Sequence, residues 1–165
     1  DAYSGGGQLT AMFAKACRRV YGIELEEEAV RCADELKRKN GLENMTNICG
    51  YVEEKLEDVL EKEKGERLRL VLDPPRAGIA RSVLKAILAS DIPEIAVISC
   101  NPATLARDVG ILTGGLIEKD GELVKNPDFQ GTEEGLNGYY RIRSVQPFDM
   151  FPQTKHVETL VYLGK

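Results

Sequence analysis

Short apolar segments alternate along the chain with amphipathic helical patterns, and this alternation restricts the possible folds more than any other feature. The segment VYGIEL precedes the helical pattern EEEAVRCADELKRKNG, LRLVLDPP precedes SVLKAILAS, and EIAVISC precedes TLARDVGILTGG. Strands that alternate with helices are typical of parallel sheets with helices on both faces. We therefore predict an α/β fold with a mainly parallel sheet.

The chain length of 165 residues suits a single domain, which we assign to residues 1–165. Residues 114–138 are rich in glycine and lack periodicity, which predicts a hairpin or a mobile insertion. A glycine loop, Gly5 to Gly7, normally follows a strand, yet it comes directly after the first residues. We therefore expect that the first strand of the sheet is truncated.

The charge of the chain argues against a domain that holds nucleic acid by overall attraction. Lys and Arg total 22 against 27 Asp and Glu, which gives a net charge of −5. A role on nucleic acid would require a local basic face or a helper domain. Because the sequence has no membrane-spanning apolar run and no signal-peptide pattern, we expect a cytoplasmic protein without membrane contact.

The four cysteines are spaced too widely for a metal-binding motif. Cys17, Cys32, Cys49 and Cys100 include no CxxC pair, so we predict neither a metal site nor a disulfide framework. We expect the first three to be small, inert apolar side chains within helices and a strand. Cys100 differs because it leaves an apolar strand at the expected ligand edge of the sheet, where a nucleophilic thiol would be accessible.

Two acidic positions favour a nucleoside cofactor over a simple turn at the glycine loop. Ligands of open parallel sheets bind at the carboxyl ends of the strands. Glu24 ends the second predicted strand, where a carboxylate can accept hydrogen bonds from both hydroxyls of a ribose. Asp73 precedes two prolines, which fix the direction of the chain toward the same edge. A plain strand-ending turn remains the alternative for Asp73.

Five segments, DAYSGGGQLT, GIE, DPPRAG, SCNPATLARD and DMFPQTKHVE, closely resemble the RNA (uracil-5-)-methyltransferase family. The resemblance covers the chain except residues 114–138. It implies a Rossmann-like class I methyltransferase fold that uses S-adenosylmethionine to form 5-methyluridine in ribosomal or transfer RNA. Of these two substrates we favour 23S ribosomal RNA. It also implies upstream RNA-binding and central domains, and it does not imply any protein partner.

The resemblance assigns roles residue by residue. Cys100 is implied as the nucleophile and Glu158 as the base, and the implied cofactor contacts are Tyr3, Gly5, Gln8, Glu24, Tyr51 and Asp73. The family commonly has Cys where Ser4 stands, and a small polar residue where Tyr51 stands. The candidate RNA contacts are Arg76, Arg107 and His156. For Arg107, a salt bridge with Asp108 or another acid of the helix is an equal alternative to an RNA contact. For His156, a packing role is an equal alternative.

Two other functions remain open from the sequence. The chain could belong to a methyltransferase that modifies amino groups of RNA or protein, but Arg76 then replaces the expected aromatic residue and Cys100 has no role. It could also be a non-catalytic module that binds a nucleoside or RNA. Cofactor binding without methyl transfer would favour the second of these.

Overall fold

The computed structural model describes residues 1–129, 136, 138–150, 152–154 and 157–165. These residues form helices and strands in two compact units. The first unit comprises residues 1–66 and 70–73, and the second comprises residues 67–69 and 74–165. Each unit combines strands with helices, as the sequence predicts.

The first unit has helices packed on parallel-bridged strands. Its elements are α1 (Gln8–Ala14), β1 (Val20–Glu24), α2 (Glu27–Asn40), β2 (Met45–Cys49), α3 (Val52–Lys62) and the greater part of β3 (Arg69–Leu72). Strands β1 and β2 pair in parallel. Ala2 forms single parallel bridges with Ile23 and with Leu72, so it lies between β1 and β3. The glycine loop therefore begins next to the central position between β1 and β3.

Helix α2 shows how the sequence specifies these elements. Glu27 and Glu28 occupy its first turn and basic residues its last turn, which complements the helix dipole. Gly41 ends the helix in the left-handed conformation, with φ of 61°. Val30 and Ala33 are buried, and Ala33 joins the core that contains Met45. The helix predicted for this segment is confirmed.

The second unit contains an antiparallel sheet. Its elements are α4 (Arg81–Ala89), β4 (Glu94–Ser99), α5 (Pro102–Leu112), β5 (Leu116–Lys119), β6 (Glu122–Lys125), β7 (Arg141–Phe148) and β8 (Glu158–Gly164). Strand β8 lies between β4 and β7 and is antiparallel to both. Alternate residues of β4 and β8 are buried, whereas β7 is exposed along its length. The parallel pairing expected for the sheet thus occurs in the first unit.

A hairpin occupies the start of the glycine-rich region. Strands β5 and β6 pair in an antiparallel register, and Asp120 and Gly121 form the turn with positive φ angles. This hairpin lies within residues 114–138, for which the sequence leaves a hairpin and a mobile insertion as alternatives. Residues 130–135 and 137 lie outside the described residues.

The expectation that three cysteines act as apolar packing groups is wrong. Cys17, Cys32 and Cys49 are all exposed. Helix α1 ends at Ala14, before Cys17. Cys32 lies two residues from the buried Val30, which places Cys32 on the opposite side of α2.

In the described part of the chain, no helix is both long and apolar enough to span a membrane.

Candidate active site

In the first unit, the predicted cofactor contacts gather at the carboxyl ends of its strands. Glu24 ends β1, Tyr51 follows β2 by two residues, and Asp73 follows β3 directly. Backbone hydrogen bonds join these ends: Gly50 N–H donates to the Glu24 carbonyl at 2.9 Å, and Asp73 N–H donates to the Ala2 carbonyl at 3.2 Å. The structure therefore brings these three residues to the same edge of the unit.

The Glu24 carboxylate is fixed by two backbone donors. Gly5 N–H donates to Glu24 Oε2 at 2.8 Å, and Glu26 N–H donates to Oε1 at 2.9 Å. Each carboxylate oxygen has a second lone pair, so both can accept a further hydrogen bond. Glu24 is partly exposed, and its carboxylate is held in place before any ligand binds. Sequence analysis placed Glu24 at this edge but did not predict its bond to the glycine loop.

The glycines of the loop serve two different purposes. A Cβ atom on Gly7 would lie 2.7 Å from the Cβ of Ala33, so close packing on α2 requires glycine there. Gly5 has φ of 52°, and a Cβ atom on it would meet no atom within 4 Å. Gly5 therefore borders open space beside Glu24. The predicted contacts Tyr3 and Gln8 flank this loop, with Tyr3 also at positive φ and Gln8 exposed at the start of α1.

These residues fit an adenosine-containing cofactor. The fixed carboxylate of Glu24 suits two ribose hydroxyls, and the open side of Gly5 admits a ligand close to the backbone. Asp73 is exposed, and desolvation by neighbouring protein atoms raises the pKa of its carboxyl above the ordinary value. Tyr51 is 54% exposed at the start of α3 and can present its ring to an adenine.

In the second unit, the sheet register brings the predicted nucleophile and base to the same end of one strand pair. Ser99 is opposite Thr159 in the antiparallel pairing of β4 with β8. Cys100 follows Ser99 and Glu158 precedes Thr159, so both candidates lie beyond the same end of this antiparallel pair. Ser99 and Thr159 are buried, whereas Cys100 and Glu158 are partly exposed. Strand alternation directs Glu158 to the sheet face opposite Thr159.

The segment after Asp73 is held by side chains of α5. Asn101 caps this helix, since its Oδ1 accepts the Ala103 N–H at 3.1 Å, and its Nδ2 donates to the Arg76 carbonyl at 3.0 Å. Asp108 Oδ2 accepts the Ile79 N–H at 2.8 Å. The turn that carries Cys100 and the loop that carries Arg76 are therefore joined by direct hydrogen bonds.

Arg107 forms the salt bridge that sequence analysis left open as an alternative. Its Nη2 lies 2.6 Å from Asp108 Oδ1 and donates to the Ala77 carbonyl at 3.0 Å. Arg76 is exposed and forms no salt bridge with a described residue. A direct RNA contact by either arginine remains a prediction.

Asp108 was missed as a site residue. It is 1% exposed, and burial raises the pKa of its carboxyl against the lowering effect of the Ile79 N–H and of Arg107. Its position seven residues after the cap Asn101, on the same helix face, was the signal available in the sequence.

The predicted RNA contact His156 lies outside the described residues. Among the described residues, no three His, Cys, Asp or Glu side chains form a metal-binding group.

The arrangement of strands, glycine loop and strand-end acids defines the class of Rossmann-like, S-adenosylmethionine-dependent methyltransferases. The family model described as tRNA (Uracil-5-)-methyltransferase matches residues 1–116. The chain belongs to this family, as its motifs implied.

Relatives of the chain are longer proteins. The chain is 36% identical to an uncharacterized RNA methyltransferase of Clostridium acetobutylicum, of which it covers 31%, and 39% identical to one of Geobacter sulfurreducens, of which it covers 28%. Both alignments include all of this chain. The chain thus spans about a third of the length of the curated relatives that it matches.

Solved structures agree with the fold. The chain superposes on Pyrococcus abyssi tRNA (uracil-54, C5)-methyltransferase in complex with S-adenosyl-L-homocysteine with a TM-score of 0.71 and 27% identity, over 99% of this chain and 33% of that one. A ribosomal RNA methylase from Streptococcus thermophilus gives a TM-score of 0.62 at 17% identity, over 99% of this chain and 84% of that one. The second similarity concerns the fold alone. The predicted fold class is confirmed.

Proposed function

We propose that the protein transfers a methyl group from S-adenosylmethionine to C5 of a uridine in RNA, within one catalytic domain formed by residues 1–165. The observation that carries this proposal is the placement of Cys100 and Glu158 at the same end of the β4–β8 strand pair, one position beyond the Ser99–Thr159 pair. A nucleophile that adds to C6 and a base that removes the C5 proton must both lie close to the C5–C6 bond of the same ring. Membership of the family supports the RNA substrate.

The cofactor side of the reaction belongs to the first unit. Glu24 binds the ribose hydroxyls, Gly5 admits the cofactor to the loop, and Tyr3, Gln8, Tyr51 and Asp73 surround it. When bound, the cofactor supplies a sulfonium methyl group. The Pyrococcus abyssi enzyme is in complex with S-adenosyl-L-homocysteine, which is the demethylated form of this cofactor, and that complex supports the assignment.

The chemistry on uracil requires both candidate side chains of the second unit. The thiolate of Cys100 adds to C6, and the electrons of the C5–C6 double bond move onto C5 and the O4 carbonyl, which makes C5 nucleophilic. Once C5 carries the methyl group, the Glu158 carboxylate removes the C5 proton. The electron pair of the C–H bond restores the double bond, and the Cys100 thiolate leaves. Arg76 and His156 are the candidates for contacts with the RNA, whereas the Arg107 guanidinium is paired with Asp108.

The test is methylation of 23S ribosomal RNA and transfer RNA transcripts, with 5-methyluridine measured by mass spectrometry. Cys100→Ala should abolish product while cofactor affinity stays within about twofold, because the sulfur acts only in the chemical step. Replacement of the exposed Cys17, Cys32 or Cys49 by Ala is the matched control and should leave turnover unchanged. Substantial 5-methyluridine formation by Cys100→Ala would refute covalent catalysis.

A further inference from the structure

Side chains of α5 and of its N-cap residue form hydrogen bonds with backbone groups of residues 76, 77 and 79. Arg76 offers its carbonyl to Asn101 Nδ2 at 3.0 Å, Ala77 offers its carbonyl to Arg107 Nη2 at 3.0 Å, and Ile79 donates its N–H to Asp108 Oδ2 at 2.8 Å. Gly78 N–H closes a turn onto the Pro75 carbonyl at 2.8 Å. The loop therefore has its polar backbone groups satisfied mainly by one face of α5.

Asp108 is the centre of this network. Its Oδ2 binds Ile79, and its Oδ1 accepts Arg107 Nε at 2.8 Å. The second bond turns the guanidinium so that Nη2 reaches the Ala77 carbonyl. Because Asp108 is buried, neither bond competes strongly with water. Arg107 thus connects the buried carboxylate of Asp108 to the backbone of the loop.

Arg76 and Arg107 therefore differ in the contacts of their guanidinium groups. The donors of Arg107 are directed to Asp108, Ala77 and Ile79, with the last contact at 3.4 Å. The side chain of Arg76 is exposed and makes no salt bridge with a described residue, while its own carbonyl is anchored. An anchored backbone lowers the conformational entropy lost when a side chain binds a ligand.

We propose that Arg107 and Asp108 are positioning residues that fix residues 77–79, so that Arg76 presents its guanidinium to an RNA phosphate while Arg107 itself does not bind RNA. This inference rests on the proposed RNA substrate and extends it to a specific contact. A planar guanidinium pairs with a phosphate through two parallel hydrogen bonds, and this geometry is sensitive to the direction of the backbone that carries it.

The experiment measures the affinity of the protein for fluorescently labelled 23S ribosomal RNA and transfer RNA transcripts at several salt concentrations. Arg76→Ala should weaken binding of the recognised transcript about 10- to 150-fold, the range for a lost hydrogen bond to a charged group. The slope of log affinity against log salt should fall by about 0.7 to 0.9, the value for one phosphate. Arg81→Ala, which removes an exposed arginine of α4, is the matched control and should change affinity less than about twofold.

A double-mutant cycle separates positioning from direct contact. Arg107→Ala should weaken RNA binding in the parent protein but add no more than about twofold in the Arg76→Ala background, and the double variant should lose the salt slope of one phosphate. Losses that multiply, with a slope change for two phosphates, would show that Arg107 contacts RNA directly and would overturn the proposal. No effect of Arg76→Ala would overturn it as well.

Removal of Arg107 leaves the buried Asp108 without its cation, which can unfold the protein. The double variant Arg107→Ala/Asp108→Asn removes both charges and should reproduce the loss of RNA affinity without a change in cofactor affinity. Retained RNA affinity in this folded variant would contradict the positioning role. The proposed function and the positioning role fail in different measurements. A failure of uridine methylation, tested with Cys100→Ala, appears in product analysis. A failure of positioning appears in RNA affinity.

Discussion

Gly5 donates its backbone N–H to the carboxylate of Glu24, 19 residues away, and this bond joins the glycine loop to the end of β1. The same carboxylate accepts the N–H of Glu26 through its other oxygen. Glu24 therefore organises the loop before it binds a ligand, and its replacement affects both the loop and the ribose contact.

Glu24→Ala should weaken S-adenosylmethionine binding about 10- to 150-fold, because hydrogen bonds to a carboxylate are lost. Isothermal titration calorimetry measures this affinity directly. Glu28→Ala is the control, since Glu28 is an exposed acid in the first turn of α2. Equal affinities of the parent and Glu24→Ala would eliminate Glu24 as the ribose ligand.

Glu158→Gln should separate the two chemical steps. Glutamine keeps the size of the side chain but cannot remove the C5 proton, so the methylated uracil should remain attached to Cys100. With RNA and labelled S-adenosylmethionine, a denaturation-resistant adduct that carries the methyl label should appear on a gel. The double variant with Cys100→Ala should form no adduct. Turnover at the parent rate would show that another group is the base.

Gly78→Ala should destabilise the second unit strongly. Gly78 has φ of +83°, and a Cβ atom there would lie 2.4 Å from Arg107 Nη2 and 2.5 Å from Asp108 Oδ2. We expect a loss of about 2 to 5 kcal/mol in unfolding free energy, from left-handed strain and overpacking together. Gly65→Ala is the matched control, because Gly65 has φ of +86° in open space and should cost only about 1 to 2 kcal/mol. Urea unfolding that gives equal losses for both would contradict the tight contact at Gly78.

Tyr140 predicts the response of the second unit to alkali. Its hydroxyl donates to the Ile92 carbonyl at 2.8 Å, and burial raises the pKa of this phenol from 10.0 to about 12. The protonated form is favoured in the folded state, so its contribution is complete below about pH 10 and is lost as the pH rises through about 12. Ionisation should cost the folded state about 2 to 3 kcal/mol. Tyr140→Phe should be less stable by about 1 kcal/mol at neutral pH, and should lose less stability than the parent between about pH 10 and 12.

Much of the fold followed from periodicity and end signals in the sequence. Gly41 marked the end of α2, and the prolines after Asp73 marked the end of β3, because backbone geometry at these residues depends little on the rest of the chain. The exposure of Cys32 was predictable from helix phase, because Cys32 lies two residues from the buried Val30, whereas the residue type alone favours burial. The local sequence pattern was therefore enough to predict the ends of helices and strands that are set by nearby residues.

Contacts over long sequence separations were not accessible in this way. The bond of Asp108 with Ile79 spans 29 residues, and the same carboxylate forms the ion pair with Arg107. Similarly, the antiparallel register of β4 with β8 determines where Glu158 lies relative to Ser99. Tertiary packing decides such contacts, and no single segment of sequence specifies them.

Strand β7 pairs with β8 in two blocks, separated by an irregularity between Ile142 and Ser144, and Phe148 stands opposite Glu158 in the second block. Removal of one residue at the irregularity would merge the blocks and leave Phe148 and Glu158 opposed. Removal of one residue from the middle of β8 would instead turn Glu158 to the other sheet face, because side chains alternate with a period of two. We therefore expect evolutionary changes of chain length to accumulate at residue 143 and to be excluded from β8.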